Sequence, residues 1–223
     1  MKANYKRALI LSIIFLFTFC VWTILIMKVG VKVVGVNGTS IGFATLNSLF
    51  HSLTGVHMGL YVITDWLGLV PIFICFGFGI LGLVQLSKRK SLFKVDLDII
   101  FLGIYYIIVI ACYVIFEMIP INYRPRLING FLEASYPSST TLLVLSVMPT
   151  AVFQAKRRLT NIFALRLITI ITKTFSAFMV IGRLISGVHW ITDIIGSVLL
   201  SAGLYFAYEF IVLKTDRGIK NGI

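Results

Sequence analysis

Apolar residues gather in six blocks along the chain, over residues 8–27, 60–86, 97–119, 140–153, 162–181 and 190–213, separated by short polar segments. A helix of about 20 residues crosses a hydrocarbon core of about 30 Å. The pattern therefore predicts an all-α fold, a six-transmembrane-helix bundle, with residues 1–223 forming a single integral membrane domain. The fourth block is short and opens from a polar loop, and the fifth contains Lys173, a residue that snorkels or pairs. A short span of this kind is expected to end in a protein-lined cavity, where irregular backbone is tolerated. Residues 29–59 are too polar and Gly-rich to cross. Within them Phe43, Leu46, Phe50 and Leu53 recur at helical spacing, which predicts a helix lying on the outer membrane surface. Lys2, Lys6 and Arg7 precede the first block in the manner of a secretory leader, but the block is long and no small-residue cleavage site follows it. It is read as a retained first helix.

Composition agrees with the pattern. At 59% hydrophobic and 13% charged residues, with a mean hydropathy of +1.00, the chain lacks the polar surface that a water-soluble domain needs. A net charge of +12 in a soluble protein would suggest nucleic acid. Here the basic residues sit in clusters between apolar blocks, the arrangement that membrane orientation and anionic headgroups demand, so no nucleic-acid partner is expected. Thirteen lysines and arginines fall on one side: Lys2, Lys6, Arg7, Lys88, Arg89, Lys90, Lys94, Lys156, Arg157, Arg158, Lys214, Arg217 and Lys220. The other side holds five, Lys28, Lys32, Arg124, Arg126 and Arg183. The positive-inside rule then makes the chain a multi-pass protein of a cell membrane with both termini cytoplasmic, and turns the loops carrying Arg124, Arg183 and His189 outward. Cys20, Cys75 and Cys112 all lie inside apolar blocks without metal-type spacing, and read as small core residues.

The strongest local signal is Gly182-Arg183-Leu184-Ile185-Ser186-Gly187-Val188-His189-Trp190-Ile191-Thr192-Asp193. His189 and Asp193 are four apart at the start of the last block and share a face, so the carboxylate is placed to fix the imidazole tautomer. Arg183 brings a planar fork of donors suited to phosphate. The other outward loop supplies Asn122-Tyr123-Arg124-Pro125-Arg126, then Tyr136-Pro137-Ser138-Ser139-Thr140-Thr141 at the start of the fourth block. The start of a helix presents unpaired N–H groups and the positive end of the dipole, a ready anion site. Two arginines, a helix N-terminus and a His/Asp pair are thus expected to meet on one membrane face around one phosphate.

These residues resemble the type 2 phosphatidic acid phosphatases, a membrane phosphatase family related to vanadium haloperoxidases. That family carries K-x-x-x-x-x-x-R-P, P-S-G-H and S-R-x-x-x-x-x-H-x-x-x-D. Arg183, His189 and Asp193 match the third motif at its spacing, with Gly182 in place of Ser. Arg124 and Pro125 match the first, with Glu117 at the lysine position. Pro137 and Ser138 match the second, with Ser139 for Gly and Thr140 for His. The resemblance implies that His189 attacks phosphorus to form a phosphohistidine and that Asp193 orients it. Arg124, Ser138, Ser139 and Arg183 would hold the phosphoryl oxygens, and Thr140 stands where the general acid belongs. A threonine hydroxyl is no acid near neutral pH, so expelling an alkoxide becomes hard. A diphosphate substrate relieves this, because its leaving group is a phosphate ester with a second pKa of about 6. Glu117 admits three readings: pairing with Arg124 or Arg126, coordinating a cation, or standing protonated as a donor to phosphate.

The expected function is hydrolysis of a lipid phosphate or a lipid (polyprenyl) diphosphate at the extracytoplasmic face. Its partners would be that substrate and membrane lipids, and no cofactor or metal is called for. The rival readings are a lipid-phosphate binding protein or translocation partner that has lost turnover, and a phosphoryl transferase. His51 and His57 lie six apart and do not share a helix face, which argues against a metal pair, though either would be within reach to assist as an acid. Asp65 reads as a paired structural carboxylate near the outer end of the second block, with contact to the site as the lesser alternative. Asn37-Gly38-Thr39 fits a glycosylation sequon.

Overall fold

A computed structural model describes residues 4–220; Lys2 and the side chain of Lys220, both counted above for orientation, lie outside the described residues. The chain is a helical, multi-pass membrane bundle: α1 (Asn4–Lys28), a two-strand hairpin of β1 (Lys32–Val33) and β2 (Ser40–Ile41), α2 (Ala44–Thr54), α3 (Met58–Leu67), α4 (Leu69–Arg89), α5 (Leu97–Met118), α6 (Ser139–Arg158), α7 (Ile162–Ile185) and α8 (Ile191–Lys220). By length and apolar composition five segments qualify to cross a membrane: Tyr5–Lys28, Met58–Arg89, Leu97–Met118, Ile162–Ile185 and Ile191–Gly218.

The remaining expected span, 140–153, corresponds to α6, and it differs from the others for a physical reason. It is 20 residues long, about 30 Å, but packs against α4, α5, α7 and α8. Facing protein and not lipid, it carries buried Thr141, Ser146, Thr150 and Gln154. Neighbouring helices bind it through polar contacts: Tyr105 donates to the Ser146 backbone carbonyl (3.0 Å), Tyr106 and Thr150 share a 2.8 Å hydrogen bond, and Gln154 donates to Tyr208 (2.6 Å), while Thr141 accepts from Ser138 (3.1 Å). Buried Thr141, Thr150 and Gln154 are tolerated because they are paired.

Two departures from the expected spans place the site. The expected second span, 60–86, is two helices broken at Gly68. Pro71 in the first turn of α4 has no N–H to give to α3, which ends the continuous ladder there. A Cβ at Gly68 would stand 3.4 Å from the Thr140 methyl and 2.9 Å from the Asp65 carbonyl, so glycine lets the break press against the start of α6. In residues 29–59, α2 buries Ala44 and Asn47. Asn47 donates to Thr192 Oγ1 (3.0 Å) and to the Gly42 carbonyl (2.8 Å), docking α2 on the start of α8, while Leu46, Leu49 and Leu53 stay exposed.

α1 runs antiparallel to α8. Ser12 donates to the Gly203 carbonyl (2.9 Å) and Trp22 Nε1 to the Thr192 carbonyl (3.2 Å), and Tyr5 meets Arg217. A Cβ at Gly203 would lie 2.7 Å from Leu16, so this glycine sets how closely the two helices approach. At the end of the bundle away from the α5–α6 and α7–α8 loops, an ionic cluster ties four helices together. Buried Asp98 accepts from Arg157 (2.9 Å) and Arg158 (3.0 Å), Arg157 also meets Asp216 (2.6 Å), and Arg89 meets Asp96 (2.7 Å).

Candidate active site

The α5–α6 loop is a folded hairpin. Asn129 (φ 50°) and Gly130 (φ 84°) make its turn, with bridges pairing Ile128 with Phe131 and Tyr123 with Ala134. Asn-Gly is the dipeptide that adopts two successive positive φ values at least cost. The hairpin aligns Arg124 with Glu133: the Arg124 N–H donates to the Glu133 carbonyl, and Nη2 lies 3.1 Å from Glu133 Oε2. Arg124 therefore takes its carboxylate from Glu133. Glu117, at the end of α5, makes no ion pair with Arg124 or Arg126 among the described residues, and it lines a small crevice with Tyr113, Tyr136 and Ser139.

His189 sits in the turn before α8, just outside the helix that was expected to include it. Gly187 (φ 71°) makes that turn, and a Cβ there would run into the Gly55 carbonyl and Val56 of the α2–α3 connection. The imidazole is buried, with Nδ1 3.1 Å from the Ser135 carbonyl and 3.7 Å from Asp193 Oδ2. Both groups only accept, so Nδ1 carries the proton and Nε2 keeps a free lone pair. Ser135, and not Asp193 alone, therefore orients the ring. Burial, with the Arg124 and Arg183 cations adding to it, holds the His189 pKa well below its ordinary 6.5, so the ring is neutral. Asp193, fully buried, accepts from the Trp190 N–H (2.9 Å) and faces Asn122 Nδ2 (3.5 Å).

Arg183, 1% exposed, ends α7 beneath the Tyr61 ring, whose centroid lies 5.0 Å away and also 6.0 Å from Arg124. Its Nη2 donates to Thr140 Oγ1 (2.5 Å) and Asp65 Oδ1 (3.2 Å). Nε and Nη1 of Arg183, Nε and Nη1 of Arg124, and Nε2 of His189 are all buried without a partner in the protein. Buried guanidinium donors are expensive to leave unsatisfied. Four of them beside a nucleophilic nitrogen describe a cradle for an anion.

Ser138 precedes α6, is fully buried and donates its hydroxyl to Thr141 Oγ1 (3.1 Å), so no side chain caps the first-turn N–H groups of that helix. Ser197 of α8 donates to both the Ser138 and Asp193 carbonyls (2.9 Å each), locking the start of α6 to α8. Ser139 and Thr140 line the mouth of an apolar cavity of about 910 Å³ that runs between α4, α5 and α6 toward Leu86 and Val95, with Asp65 at the same mouth. Arg126 Nε is likewise buried without a partner in the protein, and Arg126 lies near His51. Burial, with the Arg126 cation adding to it, holds the pKa of His51 below the ordinary value, and the His51 ring packs on Trp190 at 5.5 Å. His57 turns back to the Thr54 carbonyl (2.9 Å).

The structure thus brings Arg124, Ser138, Thr140, Arg183, His189 and Asp193 together, leaves Glu117 aside, and adds Asp65, Tyr61, Glu133 and Ser135. The Asn129-Gly130 dipeptide was a readable signal for the hairpin that positions Glu133 and Ser135. No pattern in the sequence tied Asp65 or Tyr61 to Arg183, 118 residues away in the case of Asp65.

A multi-pass helical bundle with a buried histidine and two open guanidinium groups at one end has the architecture of a membrane phosphatase. The chain belongs to the PAP2 superfamily, whose family model matches residues 99–215, more than half of its length and the stretch from α5 to α8. Among solved structures it is similar to the crystal structure of the first transmembrane PAP2 type phosphatidylglycerolphosphate phosphatase from Bacillus subtilis. The TM-score is 0.60 at 16% sequence identity, over 92% of this chain and 96% of that one, a likeness of fold. No curated protein matches the sequence.

Proposed function

We propose that the chain hydrolyses a lipid phosphate or a lipid (polyprenyl) diphosphate through a phosphohistidine on His189. The observation that carries this reading is the set of unpartnered buried donors on Arg124 and Arg183 around the free Nε2 of His189. Phosphoryl oxygens bound to those guanidiniums would satisfy them by charge-assisted hydrogen bonds and present phosphorus to Nε2. The Asp193 carboxylate, 3.7 Å from the ring, would then stabilise the positive imidazolium that forms as the P–N bond is made. Ser138, Ser139 and the first-turn N–H groups of α6 complete the cradle, and the apolar cavity opening at Ser139 and Thr140 receives the hydrocarbon tail.

Thr140 is engaged as an acceptor from Arg183. A diphosphate, whose leaving group departs with little protonation, is the substrate on which the absent histidine costs least. The excess of basic residues at the opposite end of the bundle supports cytoplasmic termini and an extracytoplasmic site. The deciding experiment is phosphate release by purified protein from a panel of lipid phosphates and polyprenyl diphosphates, with His189→Ala as background. Release abolished in His189→Ala, and faster on the diphosphates, supports the proposal. Binding without release on the whole panel would make the chain a lipid-phosphate binding protein or translocation partner, and phosphate appearing on an acceptor other than water would make it a transferase.

A further inference from the structure

We propose that Asp65 is the general acid that protonates the leaving oxygen, in place of the histidine absent at Thr140; this rests on the phosphatase reading above. The case begins with Arg183 Nη2, which holds Thr140 Oγ1 at 2.5 Å and Asp65 Oδ1 at 3.2 Å. One nitrogen thus places the carboxyl group beside the very position where a proton donor is missing, both oxygens lying within the reach of a single phosphate. The break at Gly68 brings it there: with no side chain at 68, the end of α3 lies against the Thr140 methyl.

The direction of the leaving group points the same way. Asp65, Ser139 and Thr140 line the mouth of the apolar cavity, and His189 does not. A lipid whose tail fills the cavity brings its ester oxygen to that mouth, while phosphorus on the free Nε and Nη1 of Arg183 meets His189 from the other side. Nucleophile and leaving oxygen are then opposed, as in-line displacement requires. Asp65 is also the member of the cluster open to solvent, its side chain 55% exposed against 1% for Arg183, so water reaches it for proton exchange. The groups facing it are Arg183 from α7, Tyr61 on its own helix over that guanidinium, Arg124 beyond Tyr61, and Tyr113 of α5 across the cavity. A phosphate ester, whose second pKa is about 6, brings one proton into the site, and Asp65 is the group placed to carry it to the leaving oxygen. As the P–N bond to His189 Nε2 forms and the P–O bond breaks, that proton passes from Asp65 to the departing oxygen. Water then attacks the phosphohistidine, its proton returns to Asp65, and phosphate and neutral His189 are released.

A purely positional role for Asp65, holding Arg183 in place, would slow every substrate alike. An acid matters only where the leaving group is poor. The test compares wild type, Asp65→Asn and Asp65→Glu on an alkyl lipid phosphate and on p-nitrophenyl phosphate, whose leaving group needs no proton. The expected result is an Asp65→Asn kcat lowered by about 100-fold or more on the alkyl ester and by less than about 5-fold on the aryl ester, with partial recovery in Asp65→Glu. Competitive inhibition by inorganic phosphate, unchanged within about 3-fold in Asp65→Asn, shows that the variant is folded and its anion cradle intact. Equal losses on both esters, or no loss on either, overturn the assignment of Asp65 while leaving the phosphatase reading standing. Wild type that releases phosphate from a polyprenyl diphosphate but from neither ester overturns the assignment of Asp65 alone, and release from none of the three overturns both.

Discussion

Arg183→Lys is the substitution that most directly probes the cradle. It preserves the charge and removes the fork. Arg183 is 1% exposed and divides its donors: Nη2 is committed to Thr140 and Asp65, while Nε and Nη1 are buried and open. An ammonium placed there can serve the two protein acceptors or the phosphate, but not both at the geometry of a planar guanidinium. Each hydrogen bond to a charged partner contributes about 1.5–3 kcal/mol. Loss of the two directed at phosphate therefore costs about 3–6 kcal/mol in the transition state, a fall in kcat/KM of about 10²- to 10⁴-fold at 1.4 kcal/mol per decade. The measurement is phosphate release in detergent micelles against the His189→Ala background, with the unfolding temperature as a check that the variant is folded. Retention of more than about a tenth of wild-type kcat/KM in folded Arg183→Lys would refute the assignment, because a point charge would then suffice and the two open nitrogens would be doing nothing.

Three further outcomes follow from separate parts of the structure. Gly187→Ala places a methyl group against the Gly55 carbonyl and Val56 at a backbone φ of 71°. The turn carrying His189 must move, and kcat is expected to fall at least about 10-fold with little change in the unfolding temperature of the bundle; unchanged kcat would show that the turn has slack. The chain has three histidines, so in a His51→Ala/His57→Ala variant the ring resonances report His189 alone. Burial and the two arginine cations lower its pKa, so its shifts should not titrate as pH falls through 6.5. The sign for stability follows: the folded state holds this proton less tightly than the unfolded chain, so its contribution is complete above about 6.5 and declines as pH drops below that. A midpoint at or above 6.5 would contradict the neutral nucleophile. Asp98→Asn leaves Arg157 and Arg158 facing a neutral amide at the opposite end of the bundle. Removing one partner of a buried ion pair costs about 3 kcal/mol, so the unfolding temperature should drop by several degrees with KM unchanged. A changed KM would mean that the two ends of the bundle are coupled.

Local patterns in the sequence account for the membrane bundle and for half of the site. Runs of about 20 apolar residues need a bilayer wherever they are placed, and Arg183, His189 and Asp193 are close enough in sequence for their spacing to bring them near one another. The Arg124-Pro125 and Pro137-Ser138 pairs were readable in the same way. Apolar periodicity did not reveal that α6 is an internal polar helix, because its Thr150 and Gln154 pair with side chains of other helices, Tyr106 and Tyr208. Nor did it separate α3 from α4, since hydropathy is blind to a helix break at one glycine three residues before a proline.

What only the tertiary structure decided is who partners whom. Arg124 pairs with Glu133 and not Glu117, since the Asn129-Gly130 turn folds the loop back by a register that hydropathy does not encode. His189 is oriented by the Ser135 carbonyl, a backbone group carried by every residue and so without any signature in the sequence. The motifs put Thr140 where an acid was expected, and the sequence read Asp65 first as a structural carboxylate and only second as a neighbour of the site. Their meeting on one nitrogen of Arg183 depends on three helices packing at Gly68, a long-range contact that no local pattern specifies.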